Sequence, residues 1–117
     1  MNENIITIEE EKWFDIPNYE GYYQISNKNR IRSLDRIVYK NWIRKGKVVK
    51  QKLHNGYLNI DLFVKAKTKR WRIHRLVALV FIPNPNNYPF VNHKNFNRQD
   101  NRVENLEWCT PKQNIQH

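Results

Sequence analysis

Sixteen of the chain's 21 Lys and Arg residues fall between positions 28 and 75, where only Asp35 and Asp61 oppose them. Such a segment must keep one face in water, because unpaired charges are not left in an apolar core. Short runs inside it predict which element it forms. Residues 22–25 are β-prone, residues 26–29 are turn-forming, and residues 30–34 alternate polar and apolar, a β-hairpin with one basic face. Residues 48–53 form a second β-prone run, followed by Asn55-Gly56, a strong hairpin signal. Residues 57–64 then alternate, with Leu58, Ile60 and Leu62 on one face. Residues 65–69 read as a basic turn. Residues 70–73 read as a short strand, with Arg70 and Arg72 opposite Trp71 and Ile73. The basic middle is thus expected to be a small antiparallel sheet with Lys and Arg on its solvent face. Residues 35–47 show no period, and Gly46 suggests a loop.

The flanks differ sharply in charge. Residues 1–27 carry a net −5 and residues 76–117 a net +1, so the middle's net +14 exceeds the chain's +10. At 117 residues the length suits one domain or two very small modules. The mean hydropathy is low at −0.89, but 13% aromatic residues, four Trp among them, is too rich for a disordered chain. No apolar run approaches the roughly 18 residues of a membrane span, and no signal-peptide core is present. The single Cys109 excludes an internal disulfide and a cysteine-rich zinc site. A cytoplasmic chain with a polyanionic partner, nucleic acid first, is the simplest reading.

Beyond the basic segment the pattern changes. Leu76, Val77, Val80 and Phe81 have helical spacing, and Pro83 ends the run. Residues 90–93 and 106–109 read as short strands joined by a polar loop. Thr110 is placed to cap a last helix, with Pro111 at its first position and Gln113 at the capping-box position. Three parts follow: a polar lead over 1–10, a β-rich basic DNA-binding module over 11–73, and a module over 74–117 with a strand, loop, strand, helix order.

That order carries a specific set of residues: His74-Arg75-Leu76-Val77-Ala78, Asn92-His93, Asn101-Arg102-Val103-Glu104-Asn105-Leu106-Glu107-Trp108, and Gln113-Asn114. It resembles the ββα-metal nucleases of the HNH type. Trp13, Ile16, Tyr19-Glu20-Gly21-Tyr22-Tyr23, Ile25-Ser26-Asn27 and Arg30-Ile31-Arg32-Ser33-Leu34 resemble the modular domain associated with such nucleases. The pairing is typical of phage and intron-borne homing endonucleases. The resemblance implies an α+β chain: a small antiparallel sheet module followed by the nuclease motif.

The resemblance also implies roles. His93 would be the general base, since an imidazole accepts a proton near neutral pH. Asn105 would hold the loop and orient that His. Asn92 and Asn114 would bind one divalent ion, Mg²⁺ or Mn²⁺, through side-chain oxygens, with His117 as an alternative last ligand. The family uses an acid at the position of Asn92, so this chain offers a neutral ligand there and weak metal binding is expected without DNA. Trp108, Leu76, Val77, Val80, Phe81 and Cys109 are expected in the core, and Asp100 is a conceivable further ligand.

Alternation alone nominates Arg30, Arg32, Arg36, Lys50, Lys52, Lys69, Arg70 and Arg72 as contacts to double-stranded DNA. The expected function is a metal-dependent, strand-nicking DNA endonuclease, acting as a monomer or weak dimer, with a short footprint, either alone or with a protein partner that supplies extra DNA recognition. The alternatives are a DNA-binding protein with a decayed HNH site, and a basic RNA-binding protein, which leaves the Asn92-His93, Asn105 and Asn114 spacing unexplained.

Overall fold

The computed structural model describes residues 10–112. The chain runs through β1 (Trp13–Asp15), β2 (Tyr23–Ser26), β3 (Ile31–Ser33), β4 (Arg36–Tyr39), β5 (Trp42–Arg44) and β6 (Val48–Val49). It continues through β7 (Lys52–His54), β8 (Tyr57–Val64), β9 (Lys67–Arg72), α1 (Ile73–Phe81), β10 (Phe90–His93), a 3₁₀ turn (Val103–Asn105) and β11 (Leu106–Cys109). It is an α+β fold of antiparallel strands around one helix. Of the helix expected from Pro111 onward, Pro111 and Lys112 form a turn and the rest lies outside the described residues.

The basic middle is built as three sheets where a single one was expected. β1, β2, β3 and β6 form the first, β4 and β5 a separate ribbon, and β7, β8 and β9 the third. The run at 48–53 divides because Val48 and Val49 pair with β3 while Leu53 pairs with Leu58 of β8. Lys50 and Gln51 cross between the sheets, and Gln51 Nε2 donates to the Asn29 carbonyl at 2.7 Å.

Turn chemistry sets the hairpins. Asn55 and Gly56 both take positive φ, 54° and 81°, which matches the twist of β7 and β8. The turn between β8 and β9 is only Lys65-Ala66, also at positive φ, so β9 starts at Lys67, inside the stretch expected to be a turn. Lys40-Asn41 does the same for β4 and β5. Gly46 lies in a loop, where a Cβ would collide with the Ser33 carbonyl oxygen, and its N–H donates to Asp35 Oδ1 at 2.6 Å. Asn29, at φ 63°, closes the β2–β3 turn while Ser26 Oγ accepts the N–H groups of Lys28 and Arg30.

Helix α1 starts after Arg72, whose side chain makes no cap hydrogen bond. It buries Ile73, Leu76 and Val77 completely. These share one buried cluster with Ile60 and Leu62 of β8, with Ile16, with Ile25 and Ile31 of the first sheet, and with Val91 and Leu106 of the β10–β11 ribbon. One continuous core therefore runs from Ile16 to Leu106. Each fully buried Ile or Leu contributes about 1.5–3 kcal/mol relative to exposure, so this seam is the main tie between the two halves. Trp108 packs on it with its indole N–H donating to the Ile82 carbonyl at 3.0 Å, and Cys109 is buried beneath. Burial pushes the Cys109 thiol up, away from the reactive thiolate. No helix of the described residues is long and apolar enough to cross a membrane.

Candidate active site

The β10–β11 ribbon sets the site. Its register places Asn92 opposite Glu107 and His93 opposite Leu106. His93 is the last residue of β10, and the polar loop that follows folds back over it. Asn105 closes that loop. Its Oδ1 accepts the Asn95 N–H at 3.1 Å, while its Nδ2 donates to Asn95 Oδ1 at 3.0 Å and to the Asp100 carbonyl at 2.8 Å. Lys94 N–H donates to the Asn105 carbonyl at 2.8 Å, so both ends of the loop are pinned. Asp100 is engaged within the loop, by Asn95 Nδ2 and by two nitrogens of Arg102. The Arg102 guanidinium holds the Asp100 carboxyl well below the usual carboxylate range.

The loop delivers one contact to the imidazole. Asn101 Oδ1 lies 2.8 Å from His93 Nε2. A carbonyl oxygen only accepts, so Nε2 carries the proton and Nδ1 is the basic nitrogen of the neutral ring. His93 is only 1% exposed. Its ring lies 4.6 Å from that of His74, which stacks at 5.4 Å on Tyr57. The Arg72 guanidinium covers the Tyr57 ring at 3.8 Å and Arg98 approaches it at 5.0 Å. An open cleft of about 340 Å³ reaches this row, lined by Tyr57, Lys69, Arg70, Arg72, His74 and His93. A polyanion entering it meets several cations before it meets the histidine.

Asn92 is buried, with its Nδ2 donating to Glu107 Oε1 at 3.0 Å. A carboxylate accepts only, so the amide nitrogen must face Glu107 and Oδ1 must face away. That Oδ1 is buried and has no hydrogen-bond partner among the described residues. Leaving such an acceptor unpaired costs about 1–3 kcal/mol, so the position suits a ligand that satisfies it. A hard cation that takes oxygen donors is such a ligand. Asn114 and His117 lie outside the described residues. Among the described residues no three His, Cys, Asp or Glu side chains converge to form a metal cluster.

The nominated DNA contacts separate into groups. Lys69, Arg70 and Arg72 line the cleft of His93. Lys50 and Lys52 share a neighbouring depression with Arg70. Arg30 and Arg32 line a third concavity beside Trp13. Arg32 lies 4.2 Å from the Trp13 ring, and Arg30 is paired with Glu11. Arg36 sits on the Tyr22 ring at 4.9 Å. Sequence reasoning assigned no role to Tyr57, Asn101 or Glu107. For Glu107 the signal was the ribbon register once both strands were read. Asn101 stood in the 101–108 block of the resemblance without a role of its own, and the position of Tyr57 left no comparable signal.

Comparison with known proteins agrees with this geometry. A NUMOD4 motif matches residues 11–63 and an HNH endonuclease domain matches residues 72–116. An uncharacterised HNH endonuclease of Acanthamoeba polyphaga mimivirus is 42% identical over 93% of this chain and 33% of its own length. The DNA endonuclease I-HmuI of Bacillus phage SP01 is 36% identical over 91% of this chain and 56% of its own. A solved structure described as DNA binding and cleavage by the HNH homing endonuclease I-HmuI superposes with a TM-score of 0.70 at 34% identity, covering 90% of this chain and 56% of that one. The chain thus spans a third and just over half of the lengths of these two relatives. With the His93 ribbon on one side and the NUMOD4 strands on the other, the chain carries an HNH endonuclease domain behind a NUMOD4 motif.

Proposed function

We propose that this chain is a metal-dependent endonuclease that nicks double-stranded DNA, with His93 as general base. The observation that carries the reading is the His93–Asn101 bond, which leaves Nδ1 as the proton acceptor at the head of a cationic cleft. Lys69, Arg70 and Arg72 hold the phosphate backbone against that cleft. His93 Nδ1 takes a proton from the attacking water as its oxygen bonds to phosphorus and the bond to the 3′ oxygen breaks. The departing oxygen is protonated by solvent. As the ring becomes cationic, the Nε2–H bond to Asn101 becomes charge-assisted and stronger. Asn105 keeps the loop, and so Asn101, in place.

Asn92 would hold the divalent ion through Oδ1, together with Asn114 or, as the alternative, His117. When bound, Mg²⁺ or Mn²⁺ relieves charge on the phosphate and on the departing oxygen. Neutral Asn92 and Asn114 add no formal charge, so the free protein binds Mg²⁺ weakly and a DNA phosphate tightens it. Titration calorimetry checks this, and submicromolar Mg²⁺ affinity without DNA refutes it.

A monomer has one such site and cuts one strand per visit. The cytoplasm, where phage or host duplex lies, is the compartment this reading implies. The test is relaxation of supercoiled plasmid with Mg²⁺ or Mn²⁺. His93→Ala is expected to slow nicking by about 10²–10⁴-fold with DNA affinity retained. If the wild type binds DNA but nicks it with neither ion, the chain is instead a DNA-binding protein with a decayed site.

A further inference from the structure

The loop that orients His93 is held from outside as well as from within. Asn29, in the β2–β3 turn of the NUMOD4 half, donates its Nδ2 to the Asn101 carbonyl oxygen at 2.7 Å. The two residues are 72 positions apart. Asn101 is also the residue whose side chain receives His93 Nε2–H. Asn29 is itself fixed: its carbonyl accepts Gln51 Nε2 at 2.7 Å, and its backbone N–H donates to the Ser26 carbonyl at 2.9 Å. A chain of side chains therefore runs from the crossover at Gln51, through Asn29 and Asn101, to the imidazole.

Two details show that this contact is specific. Asn29 holds φ 63°, a left-handed conformation that Asn and Gly adopt more readily than other residues. Its Oδ1 is buried and without a hydrogen-bond partner among the described residues, while its Nδ2 faces the Asn101 carbonyl. The opposite amide orientation would set two oxygens against each other, so the donor is locked toward Asn101. On the other side of the same loop, Arg98 packs over the Asn55-Gly56 turn and the Tyr57 ring. The loop is thus held between two turns of the half expected only to grip DNA.

We infer that Asn29 is a positioning residue for cleavage, acting through Asn101 on the tautomer and orientation of His93. The NUMOD4 half is then part of the catalytic apparatus as well as a DNA grip. The inference rests on His93 being the base, and its test separates the two ideas. Asn29→Asp keeps the shape and the turn preference but cannot donate to the Asn101 carbonyl. Its single-turnover nicking rate should fall by about 10–100-fold, as expected for a displaced reacting group, with the DNA dissociation constant little changed and the melting temperature lowered, because a carboxylate oxygen then faces the Asn101 carbonyl. Because Asn29 acts through Asn101, combining it with Asn101→Ala should cost no more than Asn101→Ala alone.

The independent readout is the pair of ¹⁵N shifts of the His93 ring in the full chain without DNA. In the wild type they should report the Nε2–H tautomer, and in Asn29→Asp the two nitrogens should move toward an averaged tautomer. Asn29→Gly, which keeps the backbone conformation and removes only the side chain, carries the same test if the Asp variant does not fold. Unchanged ring shifts in the folded variant overturn the inference, and so does an additive double mutant. A wild type that never nicks, yet whose His93 shifts respond to Asn29, leaves the positioning intact and removes the cleavage reading alone.

Discussion

Two segments of this chain, the loop after His93 and the β4–β5 ribbon, are built in opposite ways. The loop after His93 is tied by side chains at nearly every step: Asn95, Asp100, Asn101 and Asn105 each bond to a neighbour, and Asn29 reaches it from the other half. Among the described residues, the β4–β5 ribbon is tied at its base, through Asp35 to Gly46 and to Lys45 and through Arg36 on Tyr22. Its Ile37 and Trp42 are 72% and 73% exposed. The first arrangement fixes the atoms that would do chemistry. The second offers aromatic and aliphatic surface beside Arg36, Lys40 and Arg44, which suits contact with a partner that supplies the missing cover. Charge and rigidity are allotted to different places.

The largest effect should come from the tied loop. Asn105→Ala removes three hydrogen bonds at once, leaving the Asp100 carbonyl and Asn95 unanswered. Nicking should fall by about 100-fold and stability by about 2–3 kcal/mol, measured by plasmid relaxation and chemical denaturation. If activity survives, the loop does not need to be held and the contrast fails.

A smaller effect is expected at the ribbon. Trp42→Ala should weaken duplex binding by about tenfold, roughly 1.4 kcal/mol, and leave stability within about 0.5 kcal/mol. The nicking rate of bound DNA should not change. A drop in stability instead of affinity would show the ribbon to be structural.

The smallest effect sharpens the comparison at the Asn29 turn. Arg30 leaves that turn paired with Glu11. The Arg30 hydrogen bond is the chief cause that holds the Glu11 carboxyl down to about 2 from its ordinary 4.5. A depressed carboxylate stabilises the fold above its ordinary value and loses that contribution as pH falls through the depressed one. Glu11→Gln should therefore melt slightly below the wild type at neutral pH, and the gap should close between pH 4.5 and 2. The pair is partly solvated, so the gap is small.

These regions also show what could be read before the fold was known. The Asn55-Gly56 turn, the alternation of β8, the α1 spacing and the two ribbon strands each leave a local trace, and each forms where the trace lies. β4 and β5 leave none, because both faces of that ribbon are wet and no burial period is imposed on residues 35–47. Lys40-Asn41 and Lys65-Ala66 turn without Gly, so the usual turn signal is muted. Asn92, His93 and Asn105 were legible through a family pattern. The contact of Asn29 with Asn101 was not, because a bond spanning 72 residues has no signature in either stretch alone. Alternation did put Arg70 and Arg72 on one face, but it could not show that Arg30 is paired with Glu11 and that Arg32 rests on Trp13.

The continuous core from Ile16 to Leu106 bears on how such a chain can be inherited or re-engineered. A recombinant joining residues 72–116 to a foreign DNA-binding scaffold would strip Leu76 and Val77 of the buried cluster they share with Ile25, Ile31 and Leu62. It would also leave the His93 loop without the prop at Asn29. The two sequence motifs are adjacent cassettes on paper, but they are not portable ones. A functional graft has to cut upstream of β1, carrying grip and blade together.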